Sequence, residues 1–280
     1  VKRFMSTDLE QKALDLRKRV ISVSKMSGAG HIASSLSSID ILNALYNGGI
    51  LRIDCKQPEW RERDRFILSK GHATLALYNV LVDAGFVSQK DVDRYCQKGS
   101  IFGGHTTSSV PGVECNTGSL GHGLSFAIGS ALCARLEKAD YLTIALSGDG
   151  ECQEGSMWEA AMFITHYNLI NLVWIIDKNN IQLCGRINAV MNLDPLDEKL
   201  KAFGFDVKVI DGHNYDELMS TIKIDRNNLP AKPIAIIANT IKGKGVPLME
   251  DVPEWHGRKP NADDYAIIYE QLRMPKDAGK

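Results

Sequence analysis

The chain has 280 residues, a formal net charge of −1 and 44% hydrophobic residues, enough for one large α/β domain over residues 1–280. That balance excludes the electrostatic footprint of a nucleic-acid or anionic-membrane binder, and no apolar run approaches the length of a membrane span. The basic N-terminus lacks the apolar segment of a secretory signal, and six scattered cysteines without a C-x-x-C pair fit a reducing, cytoplasmic compartment.

In chain order, Leu9, Ala13, Leu16, Val20 and Val23 recur at helical spacing and predict a helix over 8–26, with Thr7 as its N-cap. It ends in the glycine-bracketed turn Ser27-Gly28-Ala29-Gly30-His31, ahead of a second helix over 35–46. Residues 65–68 read as a short strand ending in Ser69-Lys70-Gly71-His72. Helices are predicted over 73–84 and, from the cap-like Ser88, over 89–97. A glycine-rich stretch follows, from Gly103-Gly104-His105 through Pro111-Gly112 to residues 117–123, and a helix of small residues over 124–136 comes next.

Residues 141–180 organise the rest. An apolar run (141–146) stops at Ser147-Gly148-Asp149-Gly150; a helical pattern then carries Met157, Ala160, Ala161, Ile164 and Tyr167 on one side. A second apolar run (172–176) ends in Asp177-Lys178-Asn179-Asn180. Strand, helix, strand is a βαβ unit with parallel strands, so both polar endings fall at the carboxyl edge of the sheet, where open α/β folds bind ligands. Gly148 and Gly150 let the backbone approach a ligand on either side of Asp149, and the first N–H groups of the following helix suit a phosphate. Asp149 and Asn179 supply hard oxygen atoms from neighbouring strand ends. That is the ligand chemistry of magnesium bound together with phosphate, with Ca2+ or Mn2+ as substitutes.

Beyond Asn180 the chain reads as polar and irregular as far as Met191, and Asp194-Pro195 opens a short helix. Residues 205–210 and 233–238 are further strands, separated by a helix that Asn214 caps. Residues 239–258 form a long loop carrying Gly243, Gly245, Trp255, His256 and Gly257, of a length that usually serves function, and a helix over 263–273 follows it. Five strands alternating with helices predict a doubly wound parallel sheet with helices on both faces.

Six of the seven histidines abut a glycine: His31, His72, His105, His122, His213 and His256. His166 sits in an apolar periodic segment and is given no role. Any one of the six, taken alone, reads as a surface-loop histidine. Four or more beside the Asp149–Asn179 motif point to a site that handles phosphate and sugar hydroxyls. No pair has the short spacing of a zinc motif. Gly243-Lys244-Gly245 lacks the full G-x-x-x-x-G-K-[ST] pattern, so a nucleotide-hydrolase loop is rejected.

These segments resemble the transketolase family of thiamine-diphosphate enzymes. GDGECQEGSMWEA, with the second strand and Asn-Asn behind it, is similar to the family's cofactor motif. GAGHIASSLS, DRFILSKGHATLALY, GGHTTSSVPGVECNTGSLGHGLSFAIGSAL and TIKGKGVPLMEDVPEWHG resemble its histidine turns. The match runs from the first helix to His256 and covers the amino-terminal, diphosphate-binding half of a full-length member.

The resemblance implies that Asp149, Asn179 and the backbone carbonyl of Ile181 hold magnesium, and that Gly150, His72 and His256 meet the diphosphate. Glu151 and Asn179 also belong to the implied cofactor site, and the backbone of Gly118, Ser119 and Leu120 meets the aminopyrimidine ring. His31 and His256 flank the reacting carbon and exchange protons with sugar oxygens, His105 bonds a donor-sugar hydroxyl, and Glu154 joins a carboxylate relay across a subunit interface. Read without the resemblance, Glu154 is equally a first-turn glutamate favoured by the helix dipole. Ser119, His122 and Lys70 stand where many members have proline, glutamine and asparagine, which leaves the details of the pyrimidine contacts open.

The implied reaction moves a two-carbon ketol unit from a ketose, usually phosphorylated, to an aldose acceptor, with the cofactor carrying the carbanion chemistry. In the family a glutamate of a separate pyrimidine-binding domain promotes ionisation of the cofactor, whereas this sequence stops at Lys280, soon after the His256 loop. The resemblance therefore implies that a carboxy-terminal transketolase subunit works in trans, in a heterotetramer with two copies of each chain, unless the chain is a piece of a longer protein. Three rivals stand beside it. The alpha subunit of a 2-oxo-acid dehydrogenase or decarboxylase shares GDG and NN but does not predict the glycine-flanked histidines. The others are a deoxyxylulose-phosphate synthase and a non-catalytic, cofactor-binding regulatory subunit.

Overall fold

The central strands are short apolar runs because both of their faces are covered. In the computed structural model, which describes residues 6–275, the chain forms α1 (Ser6–Ser27), α2 (Ile32–Tyr46), β1 (Arg65–Leu68), α3 (Thr74–Asp83) and α4 (Gln89–Val92). Then come α5 (Gly123–Glu137), β2 (Thr143–Gly148), α6 (Gly155–His166), β3 (Leu172–Lys178), β4 (Ile181–Gln182), β5 (Gly185–Arg186) and α7 (Ile187–Val190). The last elements are α8 (Leu196–Phe203), β6 (Asp206–Asp211), α9 (Tyr215–Ile222), β7 (Ile234–Asn239) and α10 (Ala262–Gln271). Five strands make one parallel sheet in the order β1-β2-β3-β7-β6, and β4 and β5 form a small antiparallel pair.

Alternate residues of each inner strand serve opposite faces, as the period of two requires. Ile144, Leu146, Val173, Ile175, Ile234 and Ile236 pack under α1, α2, α3 and α9, whereas Ala145, Trp174, Ile176, Ala235 and Ile237 pack under α5, α6 and α8. The expected doubly wound α/β sheet is thus formed, with helices on both faces.

The predicted strands agree with those observed to within two residues, and five local expectations change. Thr7 already lies inside α1. The helix from Ser88 is real and has a full capping box, but it stops at Val92. The segment after Asn180 is not irregular, since it folds as the β4–β5 hairpin and α7. Tyr167 lies beyond α6 and is exposed, and Pro195 sits just ahead of α8. Among the described residues no helix is long and apolar enough to cross a membrane.

Candidate active site

Parallel register brings the ends of four strands side by side. Gly148 pairs with Asp177, Asp177 with Ala238, and Lys178 with Asn239. The residues that leave β1, β2, β3 and β7 at this edge therefore converge: Lys70 and His72, then Asp149 and Gly150, then Asn179 and Ile181, then Lys242. With His31, His105, His256, Gly118, Leu120, Glu151, Glu154, Gln182 and Leu183 they line a cavity of about 380 Å³.

Four histidines meet over this edge. The His31 ring lies 5.2 Å from His72, 6.1 Å from His256 and 6.5 Å from His105, and His72 lies 5.7 Å from His256. His31 occupies the N-cap position of α2, and His256 ends a tight turn anchored by the buried Trp255. Burial, then neighbouring positive charge, lowers their affinity for protons. His31 is lowered by burial and by His105, His72 falls well below the ordinary value through burial and Lys70, and His256 drops to about 3 through burial and Lys242. All three are neutral at pH 7, able to donate at one nitrogen and accept at the other. Nδ1 of His256 is buried and has no hydrogen-bond partner among the described residues.

The other glycine-flanked histidines do not join the cluster. His213 receives Ile241 N–H at Nε2 (2.8 Å) and bonds Asp40 through Nδ1 (2.7 Å), so it ties the loop after β7 to α2. His122 is an exposed residue ahead of α5, and His166 is exposed at the end of α6.

Beneath the histidines lies a layer of buried charge. Asp177 accepts from Lys70 Nζ (2.5 Å), Ser37 (2.7 Å) and Ser38 (3.1 Å), and from Thr240 at its other oxygen. Burial alone would raise its pKa, but Lys70 and the hydroxyls outweigh that and hold it below the usual carboxylate range. Asp149 is the opposite case. Its carboxylate accepts from the backbone N–H of Gly150 (2.8 Å) and Asn180 (2.5 Å), and burial together with the Asp177 charge pushes it up to about 6. A buried carboxylate that resists ionisation in this way is one that a bound cation would favour. Lys242 is 2% exposed, and burial together with Lys70 lowers it to about 7.

Glu151 lines the cavity, and both oxygens of its buried carboxylate are engaged by protein donors. Oε1 accepts from Ser69 Oγ (2.6 Å) and Gly121 N (2.9 Å), and Oε2 accepts from Gly148 N (3.1 Å). It pins the ends of β1 and β2 to the loop ahead of α5. The α6 N-terminus is also displaced from expectation. A tight turn over Gly150–Gln153 intervenes, and the helix starts at Gly155. Glu154 is exposed at its N-cap, and Ser119 is exposed beside the cavity wall.

The donor set fits a diphosphate with a hard cation. Asp149 carboxylate, Asn179 amide oxygen and Ile181 carbonyl lie on adjoining strand ends, and Gly118 at φ 142 passes so near the His105 ring that a Cβ would lie 2.7 Å from it. Among the described residues no three His, Cys, Asp or Glu side chains group as a metal cluster, which this set, with one carboxylate, would not require.

The family model described as "Transketolase, thiamine diphosphate binding domain" matches residues 10–278. The chain belongs to the transketolase family. An apulose-4-phosphate transketolase subunit of Phocaeicola vulgatus is 44% identical over 92% of this chain and 91% of its own length. A protein of the same name from Actinobacillus succinogenes is 38% identical over 95% and 96%. The 6-deoxy-6-sulfo-D-fructose transketolase subunit SqwG of a Clostridium species is 38% identical over 90% and 91%. Among solved transketolases, that of Campylobacter jejuni superposes with a TM-score of 0.89 at 30% identity, covering 98% of this chain and 44% of its own. The chain thus spans less than half of that transketolase, yet nearly all of the relatives named as subunits. It has the amino-terminal, thiamine-diphosphate-binding fold of a transketolase-type transferase, and the 2-oxo-acid dehydrogenase alternative is not favoured.

Sequence reasoning missed two residues of this strand-end arrangement. Lys242 follows β7 by three positions, a placement that points at the carboxyl edge, but the neighbouring Gly243-Lys244-Gly245 draws attention to the wrong lysine. Asp177 reads only as part of a polar strand end, although a carboxylate ending a wholly apolar strand needs a buried partner.

Proposed function

We propose that this cavity binds the diphosphate end of thiamine diphosphate with one divalent cation, magnesium by its oxygen donors. With a companion subunit, the chain then transfers a two-carbon ketol unit from a ketose phosphate to an aldose phosphate. The observation that carries the proposal is the convergence of His31, His72, His105 and His256 over the edge that holds Asp149 and Asn179. Substrates of this class are supported by relatives whose names specify sugar-derived substrates.

In this reading Asp149, Asn179 and the Ile181 carbonyl hold the cation, while Gly150, His72 and Lys242 face the diphosphate. Gly118, Ser119 and Leu120 offer backbone atoms to the pyrimidine side. Bound thiamine diphosphate supplies the electron sink for the carbon–carbon chemistry. The protein supplies proton movement: His31 and His256, neutral at pH 7, take a proton from a sugar hydroxyl and return it, His256 through Nδ1. His105, exposed at the rim, orients the donor sugar by a hydrogen bond.

The companion subunit is supported by the relatives named as transketolase subunits and by the outer face of α5 and α6. Phe126 is 52% exposed and Met162 54%, on two helices that pack against each other, and Glu154 at the α6 N-cap would then join its relay across the interface. We take two copies of each chain as the assembly. All six cysteines are free, in keeping with a cytoplasmic setting.

A coupled assay with ketose and aldose phosphates tests this reading. The purified chain with magnesium and thiamine diphosphate should show no ketol transfer, and adding the companion subunit should restore it. Strong transfer by the chain alone would defeat the two-subunit reading. Absence of transfer from the full complex with every sugar phosphate tried would defeat the assigned reaction.

A further inference from the structure

Two buried lysines enter the cavity, and their surroundings differ. Lys70 is fixed, because its ammonium bonds Asp177 at 2.5 Å and the Ser34 carbonyl at 3.2 Å. Among the described residues Lys242 meets no carboxylate within hydrogen-bond or ion-pair reach, and its Nζ finds one acceptor, the carbonyl of Ile181 at 3.1 Å. A lone carbonyl is a poor counterpart for a buried ammonium, so the group is held without being satisfied.

The backbone beneath Lys242 is rigid. Its carbonyl accepts from Asp251 N–H (2.9 Å), and the next residue, Gly243, donates to Ala33 O (3.1 Å). Gly243 sits at φ 79 with Met249 backbone where a Cβ would stand. The freedom that remains belongs to the four-carbon side chain. The carbonyl it holds is the one assigned to the cation under the reading above, and this inference rests on that reading. An ammonium and a divalent cation held at that one oxygen would repel each other, and burial strengthens the repulsion.

We infer that Lys242 is a placeholder cation: its ammonium occupies the metal's carbonyl ligand in the metal-free protein and transfers to the diphosphate when metal and diphosphate enter together. Lys242 is then a positioning residue that makes metal loading depend on the diphosphate. It weakens metal binding alone and strengthens diphosphate binding alone, and the two effects have opposite signs. Removing a residue whose role is only to fill space would weaken both.

The test uses the full chain, with Mn2+ binding followed by electron paramagnetic resonance and pyrophosphate binding followed by calorimetry in chelator. Lys242→Met keeps the length of the side chain without its charge. It should bind Mn2+ alone at least about fivefold more tightly, and pyrophosphate alone at least about tenfold more weakly, than the unmodified chain. Lys242→Gln, which can still donate toward Ile181, should shift both in the same directions by less, and it carries the test if the Met variant does not fold. Both affinities falling together, or an unchanged Mn2+ affinity, would overturn the inference. If Asp149→Ala abolishes Mn2+ binding while the Lys242 variants leave it unmoved, the metal site stands and only the placeholder falls. If the unmodified chain binds no Mn2+ even with pyrophosphate, the metal reading and the placeholder fall together.

Discussion

Helices α2 and α5 have fifteen residues each, both rich in small and apolar side chains, yet they meet different fates. Every residue of α2 is buried, its polar ones included. Ser37 and Ser38 bond Asp177, Asp40 receives Arg17, His213 and Tyr215, and Asn43 reaches Leu9 O and the Tyr215 hydroxyl. On α5 only six residues are buried, and Phe126 and Leu136 stand 52% and 84% exposed. The two helices differ in neighbours more than in composition. The chain closes the α2 face of the sheet by itself, with α1, α3 and α9. It leaves the outer side of α5 open, an exposed apolar side of the kind that interfaces between polypeptides cover.

The sharpest way to break this contrast is through the α2 side. Asp177→Ala leaves Lys70 buried without a counter-charge and strips Ser37 and Ser38 of their acceptor. The chain should lose about 3–5 kcal/mol of stability, read as a fall in the urea midpoint. Leu36→Ala, in the middle of α2, should cost about 2–5 kcal/mol, because the closed face cannot collapse around the hole. A midpoint unchanged in both would mean that α2 is not the core element described here.

The α5 side should behave differently. Phe126→Ala should change the stability of the chain alone by no more than about 0.5 kcal/mol, since the ring is half in water. The same substitution should weaken capture of the companion subunit by about 1 kcal/mol or more, measured by sedimentation or calorimetry. Equal loss in both measurements would place Phe126 in the fold of this chain.

The remaining effect is a dependence on pH, confined to the acid side. His256 has a folded pKa of about 3, below its ordinary 6.5, so its contribution to stability is complete above pH 6.5 and is lost as pH falls toward 3. His256→Gln should therefore flatten the acid side of the stability profile of the cofactor-free chain and leave the alkaline side as it was. An unaltered acid slope would show that the ring is solvated.

Much of this was legible in the sequence. The inner strands are apolar runs bounded by Gly, Pro and Asn, so they could be placed to within two residues, and their polar endings marked the edge that carries the site. The helix ends were harder. The Gly150–Gln153 turn has the composition of a helix start, and only the three-dimensional arrangement moves α6 to Gly155. Glu151 reads like any acidic residue near a helix start, because its partners Ser69, Gly121 and Gly148 come from three separate segments. His213 and His256 both abut glycine. Only their neighbours, Asp40 for one and the open cavity for the other, separate a brace from an imidazole left facing a cavity.

The approach of Gly118 to the His105 ring has a consequence for redesign. A side chain at Gly118 would strike that ring, and one at Gly71 would lie 2.4 Å from Thr117 Oγ1, so these positions form a rigid floor on which substitutions displace neighbouring groups. Leu183 is the reverse: it lines the cavity, is 69% exposed, and its Cδ1 is the nearest neighbour of Gly257, at 3.4 Å from a Cβ built there. A mutant library aimed at new sugar acceptors should hold the two glycines constant and randomise Leu183 with Leu120, where side-chain volume can vary without a steric cost to the fold.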